Sequence, residues 1–221
     1  GLALATINRR RVSLRSLVDF ARHVGLIAWA ILLKSVKQKK YRDTAGPSKE
    51  AVERMFRYLS TKPSPWRERD RAVLGLLFLQ GLRRTEIVSL ELNDFDRERN
   101  LLFVLGKGRT EKESRTINKG VLSQLLGEWI SKRGCYPGAL IQSISTNGRL
   151  GGSLSDHGIW RIIRKTGQAV GIEVWPHAIR HSCITQLCES APQAGLTLKD
   201  VQEFARHSNI TTTMLYWDRT H

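Results

Sequence analysis

The side chains best suited to handling a phosphate group lie near the end of the chain. His177, Arg180 and His181 follow Pro176 at spacings that place them on one face of a helix. Proline suits the first position of a helix, where free backbone N–H groups attract phosphate. A histidine and an arginine projecting from such a start can bind a phosphate oxygen together. The H-x-x-R-H pattern alone is explained equally well by a surface pair of histidines beside an arginine.

Further along, His207 follows a predicted helix, and Tyr216, nine residues later, is a candidate for covalent chemistry. A tyrosine can act as a covalent nucleophile, although its oxygen is unreactive unless nearby cations stabilise the phenolate. The alternative is a packing role, which is usual for a tyrosine close to a chain end. Its position beyond three histidines in a strongly basic protein favours chemistry.

The charge balance indicates a polyanionic partner. The 221 residues include 36 lysines and arginines and 20 aspartates and glutamates, which gives a net charge of +16 and a pI near 10.4. This charge favours nucleic acid first and an acidic membrane surface second. The alternative is a basic protein with no specific partner. A hydrophobic content of 41% is sufficient for a packed core.

The cysteines argue against a disulfide framework and against a zinc module. Cys135, Cys183 and Cys188 are odd in number and form no C-x-x-C pair, so a reducing cytoplasm is the expected compartment. The most apolar run, from Leu26 to Leu33, is too short to span a bilayer. No signal-peptide pattern opens the chain, and the missing initiator methionine predicts a fragment or a processed form.

The sequence pattern divides the chain into three parts. Residues 1–34 predict one helix ending near Gly25 and a second one starting at IAWAILL. Such helices cannot enclose a core, so we interpret them as the end of a larger helical domain. The charge-dense residues 35–46 are interpreted as a linker. Residues 47–221 form the main domain.

The main domain is predicted to be mainly α with a small antiparallel β-sheet, which is an α+β class. The segments near 94–96, LLFVL and ESRTIN predict a three-stranded meander, and the turn GKG within it carries Lys107. Residues 135–152, rich in Gly, Ser and Asn, are expected to be loop. Apolar spacing predicts helices at 47–59, 66–79, 83–90, 120–132 and 155–170, and three more starting near 176, 198 and 211.

Four motifs, taken in order, resemble those of the tyrosine recombinase (phage integrase) family: GLRRTEIVSL, the turn GKG, H-x-x-R-H and HSNITTTMLY. The similarity runs from about Pro47 to the end of the chain, after what would be the last helices of the family's core-binding domain. Each motif is modest alone, but their order and spacing are specific. The resemblance implies a tyrosine recombinase catalytic domain fold for residues 47–221.

The resemblance also implies a reaction. A tyrosine attacks a DNA phosphodiester to give a 3′-phosphotyrosyl link, and the strand is rejoined to a new 5′ hydroxyl without metal, ATP or another cofactor. Arginines clamp the phosphate oxygens with paired N–H donors, a lysine protonates the leaving oxygen, and a histidine takes the tyrosine proton. By position the family's site residues are Arg83, Glu86, Lys107, His177, Arg180, His207 and Tyr216.

Within that scheme His177 would be the base, Lys107 the acid, Glu86 a supporting carboxylate and His207 a phosphate ligand. Arg206 departs from the family, because glycine is usual before the last histidine, and it predicts either an altered turn or an added phosphate contact. Trp175 and the slightly long segment ESAPQAGLTLKD are smaller departures. Since only WDRTH follows Tyr216, we expect this tyrosine on a short, mobile element that DNA and a neighbouring subunit hold in place.

Other functions fit parts of the pattern. A catalytically inactive DNA-binding module of the same fold would not need all seven site residues. A type IB-like topoisomerase uses a tyrosine too but needs no partner protomers. A metal-dependent nuclease needs an acidic cluster that the sequence lacks. The implied partners of a site-specific recombinase are double-stranded DNA, other protomers in a dimer or tetramer on DNA, and accessory DNA-bending proteins. A membrane is not among them. The resemblance implies a mobile-element integrase or a related recombinase in the cytoplasm, at the nucleoid when bound to DNA.

Overall fold

The computed structural model describes residues 3–34, 36, 46–61, 63–106, 108–117 and 120–220. The chain divides into two compact units, Gly1–Asp43 and Thr44–His221. The division falls within the predicted linker 35–46, most of which lies outside the described residues, so the identity of the two units as family domains stays a prediction. No helix in the described ranges is both long and apolar enough to cross a membrane.

In the first unit, helix α1 spans Leu4–His23 and ends just before Gly25, whose φ is 76°. The second predicted helix, from IAWAILL, is wrong, because residues 26–34 are irregular chain. Most helical stability in proteins comes from burying an apolar face against other elements. Leu26 and Leu32 remain exposed, so no such burial supports a helix there.

The second unit is mainly helical with small antiparallel sheets, which confirms the predicted fold class. A short 3-10 turn at Leu92–Asp94 leads into the first strand. The helices are α2 (Lys49–Thr61), α3 (Arg67–Phe78), α4 (Arg84–Val88), α5 (Val121–Arg133), α6 (Asp156–Ala169), α7 (Pro176–Ser190), α8 (Leu198–Ala205) and α9 (Ile210–Thr220). The strands are β1 (Phe95–Asp96), β2 (Leu101–Leu105), β3 (Lys112–Thr116), β4 (Gln142–Ile144) and β5 (Leu150–Ser153).

Helix α3 lies at the centre of the core and packs against α5, α7 and α2. It is buried almost all round from Ala72 to Phe78, as the apolar run AVLGLLF predicts. Trp129 of α5 is fully buried and donates its indole N–H to the Leu140 carbonyl at 2.7 Å. Removing a buried tryptophan side chain of this kind typically costs about 3–5 kcal/mol. The same central helix packs against α7, which carries much of the site.

The three-stranded meander is confirmed, with strand order β1-β2-β3. Leu101 pairs with Thr116 and Leu105 with Lys112, so β2 and β3 form a regular antiparallel hairpin. Alternate residues of β2 point into the core, and Leu102 and Val104 are fully buried. This anchoring fixes where the hairpin leaves the core, next to the site.

Residues 135–152 are not a plain loop as expected, because β4 and β5 form a second hairpin within them. Glycine has weak strand propensity, and this segment shows no alternation of apolar and polar residues that would predict strands. The close pairing explains the composition: a Cβ at Gly151 would lie 2.5 Å from the Ser143 hydroxyl. A larger residue at position 151 would therefore require the Ser143 side chain to move.

Candidate active site

The structure places the described site residues on four helices or directly beside them. Arg83 directly precedes α4, Glu86 lies on α4, and His207 lies between α8 and α9. His177 and Arg180 lie on the first turns of α7, and Tyr216 lies on α9. Lys107 falls outside the described residues, in the sequence between β2 and β3. The other six positions come together within the second unit, although they come from four separate segments of the chain.

Arg180 is the most deeply buried of these cations, at 2% exposure. Its Nη1 donates to the Gly81 carbonyl and its Nη2 to the Ala205 carbonyl, at the end of α8. The carbonyl end of a helix carries partial negative charge and attracts a cation. Burial, together with the nearby Arg83 and Arg206 guanidinium groups, lowers the pKa of Arg180 to about 9, so it stays charged at neutral pH.

Gly81 allows the close approach of these elements. Its φ of 58° is a conformation that side chains disfavour. A Cβ there would lie 3.3 Å from both the Cys183 sulfur and the Phe204 ring. Glycine therefore ends α3 in a turn whose carbonyl faces the Arg180 guanidinium.

Arg83 is held by Glu86 and by the turn after α8. Its Nη1 donates to Glu86 Oε1 at 2.7 Å, and its Nη2 donates to the carbonyl of Arg206 at 2.9 Å. The Glu86 carboxylate also accepts the backbone N–H of Arg83 at 2.7 Å, which caps the start of α4. About a quarter of the Arg83 side chain is exposed, so part of the guanidinium can reach a ligand.

Arg206 stands where the family usually has glycine, and the structure shows its backbone conformation and its contacts. It takes the left-handed conformation, with φ 52° and ψ 46°, at the C-terminal end of α8, a conformation that glycine adopts most readily at a helix end. Its Nη2 donates to Glu86 Oε2 at 2.7 Å and to the Gly81 carbonyl at 3.2 Å. The altered turn expected from the sequence stays a prediction.

Glu86 is 2% exposed and faces cations from two sides. Burial alone would raise the pKa of its carboxyl, but the charge of Arg206 and the hydrogen bonds from Arg83 and Arg206 outweigh burial, and the net pKa is lowered. Glu86 is therefore ionised and provides the counter-charge for both guanidinium groups. With Arg180 beside them, three guanidinium groups surround one carboxylate, which leaves surplus positive charge for an anion.

Tyr216 is buried, at 3% exposure, rather than loosely held. Its ring packs with Ile184 and Cys188 of α7 and with Val201 and Ala205 of α8. Its hydroxyl oxygen is hydrogen-bonded to Nδ1 of His181. This packing runs against the expectation of a mobile tyrosine, because the short helix α9 buries an apolar face on α7 and α8.

His181 is the functional candidate that the sequence interpretation left without a role. It contacts Tyr216 directly, whereas His177 packs edge-on against His181 with ring centroids 4.3 Å apart. The sequence did contain an indication of His181, because it is the final histidine of the H-x-x-R-H motif. Which of the two histidines reaches the tyrosine depends on where α9 crosses α7, and spacing along α7 cannot decide that.

His207 stacks on the Tyr216 ring, with centroids 5.9 Å apart. Its Nδ1 lies 3.0 Å from the hydroxyl of Thr213, a fully buried residue on α9. Burial and the positive charges of Arg180, Arg83 and other neighbours lower the pKa of His207 to about 3. The ring is therefore neutral at physiological pH and can offer a neutral N–H to a phosphate oxygen.

A cleft of about 620 Å³ opens beside this cluster. The β2–β3 hairpin forms one wall and the end of α8 the other. The cleft is lined by Arg83, Gly106, Arg109, Glu113, Ser114, Arg115, Gln202, Glu203, Arg206, His207 and Ser208. Four of these residues are arginines, so the lining suits an extended anion. Lys107 directly follows the lining residue Gly106 in the sequence.

The chain is similar in sequence to known proteins over most of its length. The model of the phage integrase family matches residues 48–221. A tyrosine recombinase of Synechocystis sp. is 33% identical over 222 residues, covering 98% of this chain and 69% of the relative. The tyrosine recombinase XerC of Corynebacterium efficiens is 32% identical over 219 residues, covering 98% and 68%. The chain thus spans about two thirds of the length of these relatives.

Solved structures show the same fold. The recombinase XerH, in a post-cleavage complex with a palindromic difH substrate, superposes with a TM-score of 0.79 at 21% identity, covering 100% of this chain and 65% of XerH. A lambda integrase dimer bound to a COC′ core site gives a TM-score of 0.70 at 16% identity, covering 97% and 59%. The predicted catalytic-domain fold is confirmed.

Proposed function

This chain belongs to the phage integrase family of tyrosine recombinases, and we propose that it cuts and rejoins DNA strands through a covalent link to Tyr216. The observation that carries the proposal is the part-buried hydrogen bond between the Tyr216 hydroxyl and His181, in the same cluster as Arg180 and His207. A buried tyrosine hydroxyl usually finds a hydrogen-bond partner, and here the partner is an imidazole nitrogen, a group that can take the phenolic proton.

The first step is attack of the Tyr216 oxygen on a DNA phosphorus atom. The new O–P bond forms as the bond to the 5′ oxygen breaks, and the phenolic proton passes to His181, which already contacts that oxygen. The sequence interpretation gave this proton to His177. The contacts favour His181, with His177 supporting its ring from the edge.

The transition state carries extra negative charge on the non-bridging phosphate oxygens. Arg83 and Arg180 can each offer parallel N–H donors to them. Both guanidinium groups are held by protein oxygens before any substrate enters. Preorganised donors of this type are typically worth about 3–4 kcal/mol each in the barrier.

His207 supplies a neutral N–H rather than a charge, because its pKa is lowered to about 3. Lys107 is the proposed acid for the leaving 5′ oxygen, on the strength of its position in the GKG turn next to the cleft. Reversal with a different 5′ hydroxyl releases Tyr216 and joins new strands. The phosphotyrosyl bond retains the energy of the phosphodiester, so the cycle needs neither ATP nor a metal.

The proposed partners are double-stranded DNA and other protomers of the same protein. The DNA proposal is supported by a net charge of +16, by the arginine-lined cleft, and by the DNA complexes of the structurally similar XerH and lambda integrase. We propose that the protein acts in the cytoplasm on chromosomal or mobile-element DNA. We also propose accessory DNA-bending proteins as partners on the DNA.

A nicked DNA substrate tests the proposal. When the strand is nicked just beyond the cleavage site, the short 5′-hydroxyl fragment diffuses away and the covalent adduct accumulates. We expect an adduct that forms in EDTA and is absent from Tyr216→Phe. The matched control is Tyr136→Phe, which removes the same hydroxyl from an exposed tyrosine and should leave the adduct unchanged.

The outcomes separate the alternatives. Binding of DNA without any adduct would indicate a DNA-binding module. Loss of cleavage in EDTA would refute the metal-free mechanism. Relaxation of supercoiled DNA by a monomer, with no strand exchange between two sites, would indicate a topoisomerase.

A further inference from the structure

Arg206 occupies a backbone position that disfavours its own side chain. With φ 52° and ψ 46° it is in the left-handed conformation that glycine adopts most readily at the end of a helix. Asn100 is the other non-glycine residue with positive φ among the described residues, and asparagine tolerates this conformation far better than arginine does. Something in the side chain's contacts must therefore favour arginine here.

Those contacts are all within the protein. Only 7% of the Arg206 side chain is exposed. Nη2 and Nε donate to the two oxygens of Glu86 at 2.7 and 3.3 Å, and Nη1 donates to the Phe204 carbonyl at 3.4 Å. Each of the three nitrogens thus has a protein acceptor, so the phosphate contact considered from the sequence is not needed to explain the arginine.

The main chain at this turn holds the two clamp arginines. The carbonyl of Arg206 accepts from Arg83 Nη2 at 2.9 Å, and the preceding carbonyl of Ala205 accepts from Arg180 Nη2. If the turn shifted, both guanidinium groups would lose an acceptor. The Arg206 side chain ties this turn to α4 through Glu86 and to the end of α3 through Gly81.

We propose that Arg206 is a positioning residue: its guanidinium locks the α8–α9 turn onto Glu86 and so fixes Arg83 and Arg180 for the phosphate. The inference rests on the proposed function and adds a residue where the family usually has glycine. Arg206 itself contacts neither the substrate nor the reacting atoms.

The test uses Arg206→Gly, in which the turn keeps a residue that suits positive φ. Adduct formation on the nicked DNA is measured in single turnover, and DNA affinity is measured in parallel. We expect the cleavage rate to fall on the order of 10- to 100-fold, since small misplacements of catalytic groups have effects of this size, with DNA affinity little changed. Because the variant also breaks the buried Arg206–Glu86 pair, its Tm should fall, and the rate is therefore measured well below the Tm of the variant. Arg99→Gly controls for the loss of one arginine, because its side chain is 79% exposed.

The pH profile distinguishes positioning from a general structural effect. The Glu86 carboxyl interacts electrostatically with four arginines, Arg83, Arg206, Arg180 and Arg115. Among these cations, Arg206 lowers the Glu86 pKa most. Without it the Glu86 pKa rises, so cleavage by Arg206→Gly should decline on the acid side at a higher pH than cleavage by the unchanged protein. Arg206→Lys keeps a charge but cannot donate to both carboxylate oxygens. Its pH profile should return toward normal while its rate stays low.

Each other outcome overturns the inference. Equal cleavage rates for Arg206→Gly and the unchanged protein would show that Arg206 positions nothing. A weaker DNA affinity with a reduced salt dependence would make Arg206 a phosphate contact. A lowered rate with an unshifted pH profile in Arg206→Gly would reduce it to a structural residue. No adduct from the unchanged protein would refute the proposed function itself, and with it this inference, whereas the first three outcomes leave that function intact.

Discussion

Replacing Glu86 by glutamine should destabilise the protein strongly, although the two side chains have the same shape. Glu86 Oε1 accepts from Arg83 Nη1 at 2.7 Å and from Arg206 Nε at 3.3 Å. Glu86 Oε2 accepts from Arg206 Nη2 and from the backbone N–H of Arg83, both at 2.7 Å. Because both oxygens face only donors in these bonds, either orientation of a glutamine would point its NH₂ group at two N–H groups.

The magnitude follows from the burial of the groups involved. The Glu86 side chain is 1% exposed and that of Arg206 is 7% exposed, so water cannot replace the lost charge. Breaking a buried ion pair by removing one partner costs about 3–5 kcal/mol. Arg83 is partly exposed, which favours the lower half of that range. For a chain of this length, about 3–5 kcal/mol corresponds to a decrease in Tm of roughly 6–20 °C.

Thermal and urea unfolding of Glu86→Gln measure this loss. Glu113→Gln is the matched control, because Glu113 lies 3.6 Å from Arg109 but its side chain is 41% exposed. Its loss should cost only about 0–1 kcal/mol. Since the pKa of Glu86 is lowered on folding, its contribution is present above the unfolded pKa of 4.5 and is lost as the pH falls through the folded pKa. A Glu86→Gln variant within about 1 kcal/mol of the unchanged protein at pH 7 would refute this account.

Three further predictions concern the reaction and the pH dependence of stability. Arg180→Lys should reduce adduct formation about 10²- to 10³-fold with DNA still bound, because a lysine cannot reproduce the paired donors; near-normal cleavage would exclude a clamp role. Lys107→Ala should be slow on ordinary DNA and recover on a substrate with a 5′-thiol leaving group, which needs no acid; equal slowness on both substrates would remove Lys107 as the acid. His207→Gln should lose less Tm than the unchanged protein between pH 7 and pH 5. The pKa of His207 is lowered to about 3 on folding, so only the unfolded state gains a proton in that window and the unchanged protein loses stability as the pH falls. Parallel Tm curves for the two proteins would contradict the neutral, buried state of His207.

Much of the fold could be predicted because its signals are local. The helices from α2 to α9 follow from apolar spacing and end signals, and the β2–β3 hairpin follows from alternation around a glycine-rich turn. The two wrong predictions, a helix at IAWAILL and a plain loop at residues 135–152, concern segments whose structure does not follow from local sequence signals. IAWAILL is apolar, but its Trp29 and Leu32 are exposed rather than buried against another described element. The pairing of β4 with β5 is not predicted by the Gly and Ser residues of those strands.

Within the candidate site, the residue types could be predicted from the sequence. The order of its motifs indicated a tyrosine, a clamp of arginines and supporting histidines, because each motif lies on one local segment whose backbone geometry follows from short-range spacing. How these segments meet is a property of the folded chain. The tertiary structure set His181 rather than His177 on the Tyr216 oxygen, buried Tyr216, and joined Arg206 to Glu86 across 120 positions of the chain. Such contacts depend on how α4, α7, α8 and α9 pack around one core, and spacing along a single helix carries no information about that packing.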